Sequence, residues 1–129
     1  MVRYVFDCET NGLLHELDTV HSLVLRDIDD GDVISCSDHD GYESIANGLY
    51  MLSKADVLVG HNVINFDCRA LKKVYKNFKL KKNCKIYDTL IVSRVLWPEL
   101  EPVDHQKFSH IPRKYIGKHS LGAWGERLN

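Results

Sequence analysis

The order in which strand-like and helix-like segments follow one another most constrains how this chain can fold. Three β-rich segments come first, and helical and strand patterns then alternate up to residue 97. The predicted strands cover residues 2–6, 20–26, 33–36, 57–59 and 86–87, and the predicted helices cover residues 42–53, 66–78, 88–97 and 120–128. This order predicts an α/β fold in which a mixed sheet is flanked by helices.

Capping and helix-breaking residues refine the second half of the chain. Asp88 is a predicted N-cap for the helix that Pro98 ends, and Ser120 is a predicted N-cap for the last helix. In that last helix, Leu121, Trp124 and Leu128 fall on one face. All three prolines lie between residues 98 and 118, where few apolar positions are periodic, so we predict a loop there.

The composition is that of a single soluble domain. With 129 residues, of which 44% are hydrophobic, the chain can bury one core, and we predict one domain over residues 1–129. No apolar run approaches the roughly 20 residues of a membrane span, and the N-terminus has no signal-peptide pattern. We therefore expect a cytoplasmic protein without a membrane partner. Its cysteines contain no C-x-x-C pair and are predicted to be free thiols: Cys8, Cys36, Cys68 and Cys84.

The net charge of −1 conceals a strong asymmetry between the two halves of the chain. Residues 1–67 hold 3 basic and 13 acidic side chains, a net charge of −10, whereas residues 68–129 hold 14 basic and 5 acidic side chains, a net charge of +9. One half could bind cations and the other a polyanion. The alternative is a solvated basic helix face packed near an acidic one.

Asp7-Cys8-Glu9 at the end of the first predicted strand places two carboxylates on the same face. They repel each other unless a cation lies between them. Oxygen ligands of this kind suit Mg²⁺ or Mn²⁺ rather than zinc. The pair therefore indicates a possible metal site.

A second motif, Gly60-His61-Asn62-Val63-Ile64-Asn65-Phe66-Asp67, follows a predicted buried strand and opens a helix. Asp67 would lie near the start of that helix, at the carboxyl edge of the sheet. A third carboxylate there could complete a site for two divalent ions about 4 Å apart. The alternatives are that Asp67 is a first-turn acid favoured by the helix dipole and that Asn62 is a turn residue.

Together these motifs resemble those of the DEDD-type 3′–5′ proofreading exonucleases, which have an RNase H-like fold. The likeness is strongest to the domain found in T-seven-like phage (family A) DNA polymerases. Asp-x-Glu at residues 7–9 is similar to the first exonuclease motif, and Asn-x-x-x-Phe-Asp at residues 62–67 is similar to the second. Further likeness comes from Asp88-Thr89-Leu90 with Ser93-Arg94, and from the segment at residues 119–128. The resemblance covers nearly the whole chain and is weakest at residues 98–118.

The resemblance implies a function and a set of site residues. It implies hydrolysis of the last phosphodiester at the 3′ end of single-stranded DNA, with two Mg²⁺ or Mn²⁺ ions, in the cytoplasm of a phage-infected bacterium. Asp7, Glu9 and Asp67 would be the catalytic metal ligands. Thr10 and Leu13 would contact the terminal nucleotide, and Asn62 and Phe66 would line the site. Asp88 is not a ligand in the family.

A basic helix face is a further candidate for binding DNA. Arg69, Lys72, Lys73 and Lys76 fall on the side of the predicted helix 66–78 opposite its apolar positions. Such residues can neutralise phosphates, although a merely solvated face would have the same pattern.

The sequence departs from the family in one respect. A fourth carboxylate is expected in a third motif, Tyr-x-x-x-Asp or His-x-x-x-x-Asp, and neither motif occurs after Asp67. We therefore expect an RNase H-like domain truncated before the third motif, and a chain that alone is a poor exonuclease. A missing C-terminal segment or a separate polymerase polypeptide could complete it, or residues outside the recognised motifs could take the place of the missing ligand. The alternative is a non-catalytic module that binds nucleic acid, a polymerase or another protein.

Overall fold

A mixed sheet of five strands forms the centre of the fold. In the computed structural model, which describes residues 1–129, the strand order is β3-β2-β1-β4-β5. The strands are β1 (Arg3–Thr10), β2 (Val20–Asp27), β3 (Val33–Cys36), β4 (Val57–Gly60) and β5 (Lys85–Asp88). The first three strands are antiparallel neighbours, whereas β1, β4 and β5 run parallel to one another. This mixed sheet with flanking helices confirms the predicted fold class.

Two helices cover one face of the sheet: α1 (Ile45–Lys54) and α2 (Asp67–Val74). In β1, every second residue points toward these helices and is buried, as the two-residue period of a strand requires. The helices and the sheet share one apolar core, whose most deeply buried members include Leu23, Leu25, Leu52, Leu58 and Leu71.

Helix α1 approaches the sheet closely at Gly48. A Cβ atom added there would lie 2.7 Å from Cys36 Sγ and 2.9 Å from Leu23 Cδ2, so only glycine fits without a shift of these two side chains. Ser44 caps the helix, because its side chain accepts a hydrogen bond from the Asn47 amide.

The chain divides into a first unit, Met1–Asp88, and a second unit, Thr89–Asn129. The second unit contains α3 (Thr89–Leu96), α4 (Leu100–Lys107), a short 3₁₀ turn (Arg113–Tyr115) and α5 (Leu121–Leu128). The expectation of one domain over residues 1–129 stays a prediction. None of the helices is long and apolar enough to cross a membrane.

The loop predicted for residues 98–118 is wrong, because α4 and the 3₁₀ turn occupy much of it. Pro102 is the third residue of α4, within the first turn, where backbone N–H groups have no partner inside the helix. The helix is held by a buried ion pair between Asp104 and Arg127, which lie 23 residues apart. A contact between such distant residues leaves no local pattern in the sequence.

Two other helix predictions require correction. Helix α2 ends at Val74, so Lys76 lies beyond it. Helix α5 is capped by Ser120 as predicted, with its side chain accepting from the Ala123 amide. However, Leu121 and Leu128 are exposed, and the helix instead buries Ala123 and Arg127.

Candidate functional site

Asp7 and Glu9 lie on one face of β1 and Cys8 on the other. Cys8 is buried in the core, whereas both acidic residues are exposed. The alternation of side chains along a strand therefore places the two carboxylates on the sheet face opposite α1 and α2, as the sequence predicted.

Asp67 is brought to the same strand by the start of α2. It is only 3% exposed, and its Oδ1 accepts a hydrogen bond of 3.0 Å from the Cys8 amide. Strand β4 pairs with β1 only as far as Val5 and Val59. The Cys8 amide lies past the end of that pairing, so β4 supplies no acceptor for it. A backbone N–H buried at such a point needs an acceptor, and Asp67 supplies it.

The three carboxylates are coupled electrostatically. Although the Asp7 side chain is exposed overall, protein partly surrounds its carboxyl. This desolvation, followed by the negative charges of Asp67 and Glu9, raises the pKa of Asp7 above its ordinary value. Asp67 therefore lies close enough for its charge to disfavour ionisation of Asp7.

The turn between β4 and α2 is held in an unusual backbone conformation. Asn62 has a φ of 64°, in the left-handed region that asparagine tolerates better than most residues. At Gly60, an added Cβ would lie 2.1 Å from Val63 Cγ1 and 2.8 Å from the Phe6 carbonyl oxygen, so a side chain cannot be accommodated. These two residues let the chain turn sharply before Asp67.

Asp88 anchors this turn, a role that the capping prediction missed. Its two carboxylate oxygens accept hydrogen bonds from the amides of Asn62 (2.8 Å) and Ile64 (3.0 Å). The residue is 3% exposed, and it pairs across the sheet with Gly60. It also directly precedes α3, as predicted. An acidic residue at the carboxyl end of the strand beside the motif was the signal available in the sequence.

The predicted nucleotide-contacting residues lie near the end of β1 and the start of α2. The Thr10 hydroxyl donates to the Gly12 carbonyl at 2.9 Å, and Leu13 is 63% exposed in the following loop. Phe66 is half-buried immediately before Asp67. Their contact with a nucleotide stays a prediction.

The predicted basic face is divided between different environments. Arg69 and Lys72 are exposed on α2. Lys73 instead donates from Nζ to the carbonyl oxygens of Leu14 (3.0 Å) and His15 (3.2 Å), and so holds the loop after β1. Lys76 is exposed beyond the helix end.

The chemistry of the carboxylates suits a hard divalent cation, although their arrangement is not that of a complete ligand set. No group of three or more His, Cys, Asp or Glu side chains is placed so that it could hold a metal ion. The oxygen donors of Asp7 and Glu9 nonetheless suit Mg²⁺ or Mn²⁺, and a cation would offset the repulsion that raises the Asp7 pKa. Burial and the Asp67 charge raise the pKa of the nearby Cys68 thiol to about 11, which disfavours its thiolate form.

The four cysteines are free, as predicted, and three of them are buried. Burial also raises the pKa of the Cys8 thiol well above its ordinary value. The three buried thiols belong to the apolar core: Cys8, Cys36 and Cys68.

The fold and the placement of these carboxylates define a class of protein. A family model of the RNase H superfamily matches residues 4–114, which is most of the chain. The chain therefore belongs to the RNase H superfamily.

Two individual relatives are phage DNA polymerases, and they confirm the resemblance found in the sequence. The chain is 32% identical to the DNA-directed DNA polymerase of enterobacteria phage T3 and 31% identical to that of Escherichia phage T7, over 138 aligned residues in each case. Each alignment covers 96% of this chain but 18% of the polymerase. The chain thus spans less than a fifth of the length of these relatives.

Solved structures support the same fold. The zinc-ion-bound form of E. coli exonuclease I in complex with single-stranded DNA superposes with a TM-score of 0.60 at 14% identity. This superposition covers 93% of the present chain and 33% of the exonuclease chain. At such low identity the similarity establishes the fold alone.

Proposed function

We propose that this chain is the 3′–5′ exonuclease part of a phage-type DNA polymerase. It would remove the 3′-terminal nucleotide of single-stranded DNA in the cytoplasm of a phage-infected bacterium. The observation that carries the proposal is the hydrogen bond from the Cys8 amide to Asp67, which ties the second motif to the strand between Asp7 and Glu9. The likeness to the phage polymerases supports it.

In this proposal each side chain has a specific task. Asp7, Glu9 and Asp67 would supply oxygen ligands for Mg²⁺ or Mn²⁺ once a further ligand completes the set, which these three side chains do not form by themselves. Such ions, when bound in pairs, activate a water molecule and stabilise the leaving 3′ oxygen. The Cys8 amide fixes Asp67 at the strand end. The exposed apolar side chain of Leu13 would contact the terminal nucleotide.

The absence of both third-motif patterns after Asp67 limits the activity that we expect. A reacting group misplaced by about 1 Å can lower a rate about 100-fold, and a missing shared ligand should cost at least as much. We therefore propose that a segment carrying Tyr-x-x-x-Asp, from a longer form of this chain or from a separate polymerase polypeptide, completes the site.

The first prediction concerns degradation of a 5′-labelled single strand. The chain alone should shorten it slowly from the 3′ end, only with Mn²⁺ or Mg²⁺, and at least about 100-fold more slowly than an intact proofreading domain. Asp7→Asn and Asp67→Asn should abolish the remaining activity, because each would remove a charged ligand. Product length is followed over time on a denaturing gel.

Asp40→Asn is the matched control, because Asp40 is an exposed acid outside both motifs. Adding a polypeptide that carries the third motif should accelerate degradation. Rapid degradation by the chain alone would show that a fourth ligand is already present. No degradation even with the added polypeptide would reject the exonuclease proposal.

A second prediction concerns metal binding without catalysis. Millimolar Mn²⁺ should raise the melting temperature relative to EDTA, because an ion that binds only the folded state stabilises it by mass action. The shift should disappear in Asp7→Asn. Differential scanning calorimetry measures both proteins. Equal melting temperatures with Mn²⁺ and with EDTA would contradict the metal site.

An exposed apolar surface favours a second candidate function, that of a non-catalytic docking module. In the second unit, several large apolar side chains are exposed on α3 and α5: Ile91, Val95, Leu96, Leu121 and Leu128. Large exposed apolar side chains are typical of protein contacts where they lie together in one patch. A polymerase polypeptide that binds the chain without accelerating degradation would favour this function.

A further inference from the structure

The segment from Lys72 to Lys85 is strongly basic. It holds seven lysines in fourteen residues and no acidic residue. Lys73 binds two carbonyl oxygens, and Lys81 pairs with Asp56. The other five are at the surface and form no ion pair: Lys72, Lys76, Lys79, Lys82 and Lys85. Most of the positive charge of this segment is therefore available to a ligand.

Next to these lysines lies a shallow groove between α1 and the segment that follows α2. Its volume is about 530 Å³, and its lining includes Tyr50, Tyr75, Phe78, Lys76 and Lys79. Tyr50 is 61% exposed, and the Nζ of Lys54 lies 5.2 Å from the centre of its ring. The groove thus combines aromatic rings with ammonium groups.

The groove is separate from the three carboxylates. It lies beyond the C-terminal end of α2, whereas Asp67 is the first residue of that helix. Eight helical residues span about 12 Å. Asp7 and Glu9 also point from the sheet face opposite the one that α1 covers. A ligand in the groove would therefore not need the metal-binding residues.

We infer that this groove is a second binding site, specific for single-stranded nucleic acid, in which rings of the groove stack on bases and the lysines contact phosphates. Aromatic rings beside a basic track are the features by which proteins hold single strands without reading sequence. The basic segment continues in sequence past the groove-lining residues to Lys82 and Lys85, which suits the repeated phosphates of a strand better than a short acidic peptide. This inference goes beyond the proposed function because it requires neither metal nor cleavage.

The test measures binding of a fluorescent oligothymidylate of about 16 nucleotides by anisotropy in EDTA, across a series of salt concentrations. Lys76→Gln/Lys79→Gln should weaken binding and reduce the salt slope by about 1.4, since each lost phosphate contact on a single strand contributes about 0.7. Tyr50→Ala should weaken binding about five-fold or more through lost stacking. All three side chains are at the surface, and circular dichroism checks that the variants fold.

The control is Lys107→Gln/Lys118→Gln, which removes the same charge from exposed positions in the second unit. It should leave the salt slope close to that of the unmodified protein. If this control weakened binding as much as Lys76→Gln/Lys79→Gln does, the inference would be overturned, because the oligonucleotide would then be held by diffuse electrostatic attraction to the whole protein. Unchanged binding in Tyr50→Ala, or equal competition by polyglutamate, would also overturn it.

Asp7→Asn and Asp67→Asn separate this inference from the proposed function. Both variants should bind the oligonucleotide in EDTA as the unmodified protein does while failing to degrade it with Mn²⁺. Loss of binding in these two variants would place the ligand at the carboxylates and reject the second site. Degradation by a protein that shows no groove-dependent binding would reject the second site and leave the exonuclease proposal intact.

Discussion

Replacing Arg127 by methionine should lower the free energy of unfolding of the second unit by about 3–5 kcal/mol. The Nε and Nη2 atoms of Arg127 each donate to a different oxygen of Asp104 at 2.7 Å, and both side chains are almost completely buried. Nη1 also donates to the Lys118 carbonyl at 2.9 Å. Methionine preserves much of the volume but leaves the Asp104 carboxylate buried without its cation, which is the costly part of the change.

Urea denaturation followed by tryptophan fluorescence measures this effect directly. Both tryptophans of the chain, Trp97 and Trp124, belong to the second unit, where their ring centres are 5.1 Å apart. Arg113→Met changes an exposed arginine and should alter stability by less than about 0.5 kcal/mol. Asp104→Leu/Arg127→Met removes both charges and should recover part of the loss. If Arg127→Met unfolded at the urea concentration of the unmodified protein, the stabilising role of the pair would be rejected.

The same pair should make the second unit sensitive to acid. The hydrogen bonds from Arg127 are the largest cause that holds the pKa of Asp104 below its ordinary value, followed by the Gly117 amide among the groups that lower it. A lowered folded-state pKa contributes stability at pH values above the unfolded-state pKa, and this stability is lost as the pH falls through the folded-state value. The part of this loss of stability at low pH that comes from protonation of Asp104 should be absent in Asp104→Leu/Arg127→Met.

The parts of the fold with strong local patterns were predictable from the sequence. Strand β3 has the predicted bounds, and β2 and β4 differ from prediction by one residue each at their C-terminal ends. Their apolar runs end at turn residues, so the signal is local. Helix α4 has no such local signal, because the burial of its Asp104 depends on an ion pair with Arg127 in α5. Tertiary contacts of this kind decide structure where the local pattern is weak.

The candidate site was predictable to a similar extent. Strand alternation placed Asp7 and Glu9 on one face, and the motif brought Asp67 to the strand end. The sequence could not indicate that Lys73 would bind the loop after β1 instead of remaining free. Nor did it indicate the groove, because Tyr50 is brought beside Lys76 and Lys79 only by packing of α1. The charge asymmetry of the sequence could not indicate where on the fold a ligand would bind.

Replacing Asp88 by alanine should lower the free energy of unfolding by about 3 kcal/mol or more. Two amide-to-carboxylate hydrogen bonds would be lost, each worth about 1.5–3 kcal/mol because the acceptor is charged. The amides of Asn62 and Ile64 would then lack this acceptor in a turn where Asn62 already has a left-handed conformation. The turn leads to Asp67, so exonuclease activity should fall together with stability.

Amide hydrogen exchange locates this effect within the molecule. In Asp88→Ala, the Asn62 and Ile64 amides should exchange faster than in the unmodified protein, because they lose the acceptor that protects them. Asp88→Asn keeps one carbonyl oxygen as an acceptor and should cause about half the loss of stability. Asp40→Ala changes an exposed acid and should leave both amides unaffected. Slow exchange of the Asn62 and Ile64 amides in Asp88→Ala would mean that other contacts hold the turn, and that Asp88 does not position Asp67 through it.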